Sequence, residues 1–123
     1  MTSATKKVIQ KTLKHYDEMI EWAKGQKARE YASADKMYDE IGQEWHGEFC
    51  PLCQKFYIYD LQDVGSPPTS RCGKCPLYAK YGQCGTWLGK TAWKNMDNSG
   101  TWKTWICHAT SMREQIASLL EER

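Results

Sequence analysis

The chain lacks the features that would place it in or across a membrane. Its 123 residues contain no apolar run that approaches the roughly 18 residues of a membrane-spanning helix. The first residues, MTSATKKVIQKTLKHYDEM, contain no apolar stretch of the kind found in signal peptides. We therefore expect a cytoplasmic protein without a membrane partner. The formal net charge of only +2 gives no overall electrostatic preference for a partner.

The sequence also has little that is typical of an active site. It has three histidines, and its acidic residues are scattered over predicted helix surfaces without a paired arrangement. GSPPTS is not a nucleophile elbow, and no glycine-rich phosphate loop is present. A zinc-scaffolded His-Asn-His nuclease would need a metal and a base that isolated histidines do not supply. We therefore expect a protein that is not an enzyme.

Cysteine, by contrast, is abundant and regularly spaced. The pair Cys50-x-x-Cys53 is followed, after 18 intervening residues, by Cys72-x-x-Cys75. Each Cys-x-x-Cys turn lets two sulfurs reach one ion, and the loop between the pairs completes a tetrahedral shell. The sequence therefore predicts a structural Zn²⁺ held by Cys50, Cys53, Cys72 and Cys75.

Other uses of these thiols are less consistent with the sequence. Disulfides would require an oxidising compartment, and no signal peptide points to one. A redox Cys-x-x-Cys would require a thioredoxin-like alternation of strands and helices, which is not visible. An iron–sulfur cluster also takes four cysteines and stays open as an alternative to zinc.

Five further residues are candidates for ligands or for structural roles. Cys84, flanked by Gly82 and Gly85, could replace one of the four ligands, serve a second metal or remain a buried thiol. His46 lies four residues before Cys50 and is an alternative ligand, although a solvated or capping role is favoured. Adjacent helical residues point about 100° apart, so Cys107 and His108 are expected to be a core thiol and a surface imidazole. His15 is expected to be structural or exposed.

Helical periodicity occupies both ends of the chain. An amphipathic helix is predicted over residues 5–24, with Gly25 as its C-cap and an apolar stripe of Val8, Ile9, Thr12, Leu13, Tyr16, Met19, Ile20 and Ala23. Ser33 is predicted to cap a shorter helix that presents Met37, Tyr38, Ile41 and Trp45 on one side, and Gly42 and Gly47 are predicted to close the helical part. A short helix is predicted over 87–96. Thr101 is then expected to cap a final helix of about 20 residues with the stripe Trp102, Trp105, Ile106, Ala109, Met112, Ile116, Leu119 and Leu120.

These elements predict a single, mainly α domain over residues 1–123. Its parts are a helical N-terminal part (1–46), a cysteine-rich metal-binding insert (47–86) and a C-terminal helical part (87–123). KFYIYDL could form a short strand within the insert. The two terminal amphipathic helices are expected to pack around a zinc-knuckle or ribbon-like insert, whose metal substitutes for missing hydrophobic core. Their long apolar stripes leave room for a homodimer.

A basic and aromatic stretch over residues 71–103 supports a second hypothesis for the function of the protein. Its basic residues are Arg71, Lys74, Lys80, Lys90, Lys94 and Lys103, its only acid is Asp97, and tyrosines and tryptophans lie between them. Such stretches can bind single-stranded nucleic acid through phosphate contacts and base stacking. We take Arg71, Lys74, Lys90 and Lys94 as the candidate contacts. Four thiolates and one Zn²⁺ would add −2 to this region, so nucleic-acid binding is the alternative.

The segments EIGQEWHGEFCPLCQKF and CGKCPLYAKYGQCGTW, followed by a Trp-containing helix, resemble small cysteine-rich proteins encoded by bacteriophages and prophages. The resemblance covers roughly residues 41 to 93. It implies a zinc-binding phage accessory protein in the host cytoplasm, with ligands at Cys50, Cys53, Cys72 and Cys75, and Cys84 as a further candidate. By analogy with other small phage proteins, we expect it to bind and inhibit or modulate a host protein, such as a defence protein.

Overall fold

Helices dominate the part of the chain that the computed structural model describes, which is residues 3–46, 49–53, 80–81 and 91–121. In chain order the helices are α1 (Ser3–Lys24), α2 (Ala34–Ile41), α3 (Pro51–Cys53), α4 (Trp93–Asp97) and α5 (Trp102–Glu121). The described residues contain no strand, although Tyr31 and Thr101 form an isolated antiparallel bridge. The mainly α class is therefore confirmed. The predicted strand in KFYIYDL lies outside the described residues.

The first helix confirms the amphipathic pattern read from the sequence. Six positions of the predicted stripe are buried and two, Val8 and Leu13, are half-buried against the core. The helix ends at Lys24, where Gly25 N–H donates to the Trp22 carbonyl at 3.0 Å. Gly25 does not adopt the left-handed conformation, so the chain leaves α1 through a tightened last turn rather than a left-handed glycine cap.

The predicted Ser33 cap of α2 is confirmed, and the helix ends at Gly42, the first of the two glycines predicted to close the helical part, whereas Gly47 lies outside the described residues. The Ser33 hydroxyl accepts a hydrogen bond from the Lys36 amide at 3.2 Å, which satisfies one amide of the first turn. Gly42 has a φ of 70° and donates its N–H to the Tyr38 carbonyl at 2.8 Å. The face differs from the prediction, because Met37 is buried whereas Tyr38 is 50% exposed. Trp45 is buried but lies beyond the end of the helix.

The start of α5 is held by the loop that follows α1. The amides of Trp102 and Lys103 donate to the carbonyls of Glu30 and Ala28, at 3.1 and 3.0 Å. The Thr101 hydroxyl accepts from the Thr104 amide at 3.3 Å, as predicted for the cap. The amides in the first turn of a helix have no acceptor within the helix, so the carbonyls of this loop supply the acceptors for α5. The 20-residue length of α5 is also confirmed.

The core lies between α1 and α5, which run antiparallel. Near one end, the rings of Trp22 and Trp102 meet edge to face with centroids 5.1 Å apart. Further along, the Arg113 guanidinium donates to the Asp17 carboxylate at 2.7 Å. Trp45 adds to the aromatic cluster, with its ring 5.2 Å from that of Trp105. Aromatic pairs in such geometries contribute about 0.5–1.5 kcal/mol each beyond the burial of their area.

Two expectations for the C-terminal part are corrected. Within the predicted helix over 87–96, residues 91–92 form a bend and the helix begins only at Trp93. The assignment of Cys107 to the core and His108 to the surface is wrong, since Cys107 is exposed and His108 is half-buried. Position 107 is about 200° around the helix from both Trp105 and Ala109, so its side chain points away from α1.

Candidate functional site

The cysteine-rich insert begins on the surface of the helical core. The backbone between Cys50 and Cys53 forms the single helical turn α3, which packs against α1. Leu52 is buried at the centre of this turn, and Cys50 is half-buried against the core. A single turn of backbone between the two cysteines is what a Cys-x-x-Cys pair needs to approach one ion. The donor set of thiols also fits Zn²⁺, which is the metal predicted from the spacing.

Most of the predicted metal site lies outside the described residues. Of the candidate ligands, Cys72, Cys75 and Cys84 are not described, and for Cys53 only the backbone is. Among the side chains that are described, no group of three or more His, Cys, Asp or Glu could hold a metal ion. The zinc site with Cys50, Cys53, Cys72 and Cys75 therefore stays a prediction.

The far side of the insert contacts α5. The hydroxyl of Tyr81 lies 2.8 Å from the Ser118 hydroxyl, and the Lys80 ammonium donates to the same oxygen at 3.1 Å. Ser118 in turn donates to the carbonyl of Gln115 at 2.6 Å, which leaves its oxygen as the acceptor for both insert side chains. The described residues on the two sides of the insert thus dock on different helices of the core.

His46, the alternative ligand, lies among the rings of Trp45 and Trp93 and the carboxylates of Glu44 and Asp97, and we call this cluster the clamp. Its Nδ1 is hydrogen-bonded to the Glu44 carboxylate, and its Nε2 lies 3.2 Å from Oδ1 of Asp97. The ring stacks on Trp45 with centroids 5.8 Å apart. Because each ring nitrogen faces a carboxylate, the geometry favours a structural role that joins the loop after α2 to the end of α4.

The same clamp is reinforced by tryptophan hydrogen bonds. The indole N–H of Trp45 donates to Asp97 at 3.1 Å, and that of Trp93 donates to the Trp45 carbonyl at 2.9 Å. Glu44 is buried, and its second oxygen accepts from the His46 amide at 2.6 Å. A buried carboxylate needs such partners, since an unpaired one would carry a large desolvation cost. The clamp fixes the backbone just before the first cysteine.

His15 is structural, and it is buried. Its Nδ1 lies 2.6 Å from Oε1 of Gln43, whose amide nitrogen donates to Glu18 at 2.6 Å. The donation to Glu18 orients the Gln43 amide with its oxygen toward His15, so Nδ1 carries the proton. Burial lowers the pKa of His15 below its ordinary value of 6.5, and the hydrogen bond to Gln43 opposes this shift. His15 is therefore a neutral link between α1 and the loop after α2.

The outer face of α2 presents an acidic and aromatic surface. Tyr38 lies between the exposed Asp35 and Asp39, and its ring is 5.4 Å from that of the half-buried Phe49. We call Asp35, Tyr38, Asp39 and Phe49 the α2 face. Tyr38 and Tyr31 are the two large hydrophobic side chains that stay exposed among the described residues, at 50% and 72%. An exposed aromatic held on a rigid helix is a common centre of protein–protein contacts.

Of the four residues predicted to contact nucleic acid, only Lys94 lies among the described residues. Lys94 is half-buried on α4, and its carbonyl accepts from the Asn98 amide at 3.1 Å. Arg71, Lys74 and Lys90 lie outside the described residues. The basic and aromatic stretch therefore stays a prediction.

Sequence reasoning missed the α2 face because it assigned Tyr38 to the apolar side of the helix. A local signal was present, since Met37 and Ile41 are four residues apart and define the buried side without Tyr38. No such signal exists for the clamp at His46. Its members Glu44 and Asp97 are separated by more than 50 residues.

Comparison of this chain with known protein families, with curated proteins and with solved structures gave no match. Among the described residues, no helix is both long enough and apolar enough to cross a membrane.

Proposed function

We propose that this protein is a zinc-stabilised, non-enzymatic interaction protein that binds a protein partner through the α2 face. The observation that carries the proposal is the exposure of Tyr38, whose side chain is 50% exposed on a helix that also carries the exposed Asp35 and Asp39. Single exposed hydrophobic residues are common, but an aromatic pair bordered by charge resembles the centre and rim of an interface.

The α2 face is rigid before any partner binds. Ser33 and Gly42 cap the helix at its two ends, and the buried Met37 anchors it to the core. Phe49 supports the Tyr38 ring from one side. Such preorganisation lowers the conformational entropy that binding would otherwise cost.

The charge of the face defines the partner's chemistry. Asp35, Asp39 and Glu40 are exposed on α2, whereas the only lysine of the helix, Lys36, is paired with Glu30 at 2.5 Å. The complementary surface is a basic one with an apolar pocket that accepts the Tyr38 ring. The resemblance to phage-encoded proteins suggests that this partner is a host protein which the phage protein inhibits or modulates.

The role we propose for zinc is to hold the insert in its folded conformation. Cys50, Cys53, Cys72 and Cys75 would hold the ion, with Cys84 as the replacement for one of them. Four thiolates leave no open position on a tetrahedral ion, which is why the proposed role of the metal is structural.

The test compares two matched double variants as bait in a host-cell extract. Tyr38→Ala with Asp39→Lys removes the ring and reverses one charge on the α2 face. Tyr31→Ala with Glu21→Lys makes the same chemical changes at exposed positions elsewhere. Mass spectrometry should identify a protein that is retained by the wild type and by the Tyr31/Glu21 control but lost with the Tyr38/Asp39 variant.

The retained protein is then purified and titrated against the wild type by calorimetry. We expect stoichiometric binding, weakened at least tenfold by the Tyr38/Asp39 variant. Equal loss with both variants, or no retained protein that distinguishes them, would contradict the α2 face. Turnover of a substrate by the zinc-loaded protein would contradict the non-enzymatic role.

A further inference from the structure

The N-terminal half of α1 carries an unusual concentration of positive charge. Residues 3–16 contain four lysines (Lys6, Lys7, Lys11 and Lys14) and no acidic residue. All four side chains are exposed, and none forms an ion pair with a described residue. This charge belongs neither to the α2 face nor to the basic stretch predicted from the sequence.

Three of these lysines form a straight row. Lys7, Lys11 and Lys14 follow the i, i+4, i+7 spacing of one helix face and span about 10 Å along the axis. They lie on the side of α1 opposite the buried Ile9 and Tyr16, so the row faces solvent. Ser3 and Gln10, both exposed, add neutral hydrogen-bonding groups along this row. We call Lys7, Lys11 and Lys14 the lysine row.

The row is not explained by the stability of the helix. The helix dipole does not account for the row, because Lys7, Lys11 and Lys14 lie beyond the first turn of α1, where charges interact with the dipole. Like charges four residues apart, such as Lys7 and Lys11, also repel each other. A negatively charged ligand bound to these lysines would offset their mutual repulsion and explain why they occur together on α1.

The ligand chemistry follows from what surrounds the row. An anionic membrane would require apolar side chains to insert, but the apolar side of α1 is buried against α5. Single-stranded nucleic acid would require exposed aromatic rings for base stacking, and the only aromatic side chains in residues 3–16, His15 and Tyr16, are buried. Flexible ammonium groups in a straight row suit the regularly spaced phosphates of a duplex.

We infer that the lysine row binds the phosphate backbone of double-stranded nucleic acid without reading its sequence. Three phosphate contacts predict weak binding whose affinity falls with salt at a logarithmic slope of about −2.7. Between 50 and 200 mM salt, this slope corresponds to a loss of about 40-fold in affinity. The proposal is independent of the α2 face and does not require the zinc site.

The test measures binding of the full chain to a fluorescent 20-base-pair DNA duplex by anisotropy across a salt series. The variant Lys7→Glu, Lys11→Glu, Lys14→Glu reverses the row. The matched control, Lys24→Glu, Lys27→Glu, Lys103→Glu, makes the same change of net charge at three other exposed lysines. We expect the row variant to lose binding at least tenfold more than the control, and circular dichroism should show that both triple variants keep the helices of the wild type.

Three outcomes would overturn the inference. The first is equal loss of duplex binding by both triple variants, which would indicate a response to net charge alone. The second is absent or salt-insensitive binding by the wild type. The third is preference for single-stranded DNA, or for vesicles of phosphatidylserine and phosphatidylcholine, over the duplex.

Discussion

His15 shows how much one buried side chain depends on its surroundings. Its ring lies in the core beside Tyr16, with centroids 5.6 Å apart and nearly perpendicular planes. The Nε2 atom is buried and has no hydrogen-bond partner among the described residues, whereas Nδ1 lies 2.6 Å from Oε1 of Gln43. A proton added to this ring would place a charge in an apolar environment, so the fold favours the neutral form.

This arrangement predicts an acid-dependent loss of stability. Burial lowers the folded-state pKa of His15 below 6.5, so below pH 6.5 the unfolded state binds more protons than the folded state. Stability should be full above about pH 6.5 and should fall, by at most about 1.4 kcal/mol per pH unit, as pH drops toward the folded pKa. Urea unfolding at pH values from 5 to 8 measures this slope.

The matched variants are His15→Gln and Gln43→Leu. His15→Gln should remove this contribution to the slope, and Gln43→Leu should extend it to lower pH because it deletes the hydrogen bond that opposes the shift. An unchanged slope in His15→Gln would show that other groups cause the acid sensitivity.

At the scale of elements, α2 depends on the conformation of a single glycine. Gly42 adopts a φ of 70°, a region that costs an L-residue about 1–2 kcal/mol. A methyl group would meet nothing within 4 Å at Gly42, so backbone conformation alone decides the effect of a substitution. Gly100 has equal space but no positive φ.

Gly42→Ala should therefore destabilise the protein by about 1 kcal/mol. Gly100→Ala should be neutral or stabilising by up to about 1 kcal/mol, because it only reduces the entropy of the unfolded chain. Thermal unfolding followed by circular dichroism measures both variants. Equal losses in the two would indicate that Gly42 is not required to be left-handed.

At the scale of the whole molecule, the helical core and the insert are distinct in their composition. The core consists of α1, α5, α4 and the tryptophans between them, and the described part of the insert contacts it through Cys50, Leu52 and Tyr81. The helical pair therefore has a hydrophobic core of its own. Small zinc domains that lack such a core unfold completely when the metal is removed.

We expect zinc removal to lower the stability of this protein without abolishing its helices. A chelator should reduce the Tm while most of the helical circular dichroism persists at 10 °C. Cys50→Ser should lower the zinc content below one ion per chain, as measured by elemental mass spectrometry. Cys107→Ser is the control, because this thiol is exposed on α5, and it should leave both zinc and Tm unchanged.

Two results would contradict this expectation. Full zinc content in Cys50→Ser would remove this residue from the ligand set. Complete loss of helix on chelation would show that the insert, rather than the tryptophan cluster, supplies most of the stability of the fold.

The sequence alone determined the elements whose signals are local. Apolar residues recur along α1 and α5 at helical spacing, and Ser33, Gly42 and Thr101 are capping residues that act within four positions of themselves. Such signals predict a helix because the hydrogen bonds and contacts concerned lie within one or two turns. The apolar spacing of α5 also points Cys107 away from the core, but the sequence analysis assigned it to the core, and that assignment is wrong.

Only the tertiary structure decided which side chains meet across long separations. The Trp45–Asp97 hydrogen bond spans 52 positions and the His15–Gln43 contact spans 28. Burial of Glu44, exposure of Tyr38 and the solvent-facing side of the lysine row likewise depend on how α1, α2 and α5 pack. Residue type and spacing fix what each segment can form, but distant segments approach each other only when the whole chain minimises its exposed apolar surface.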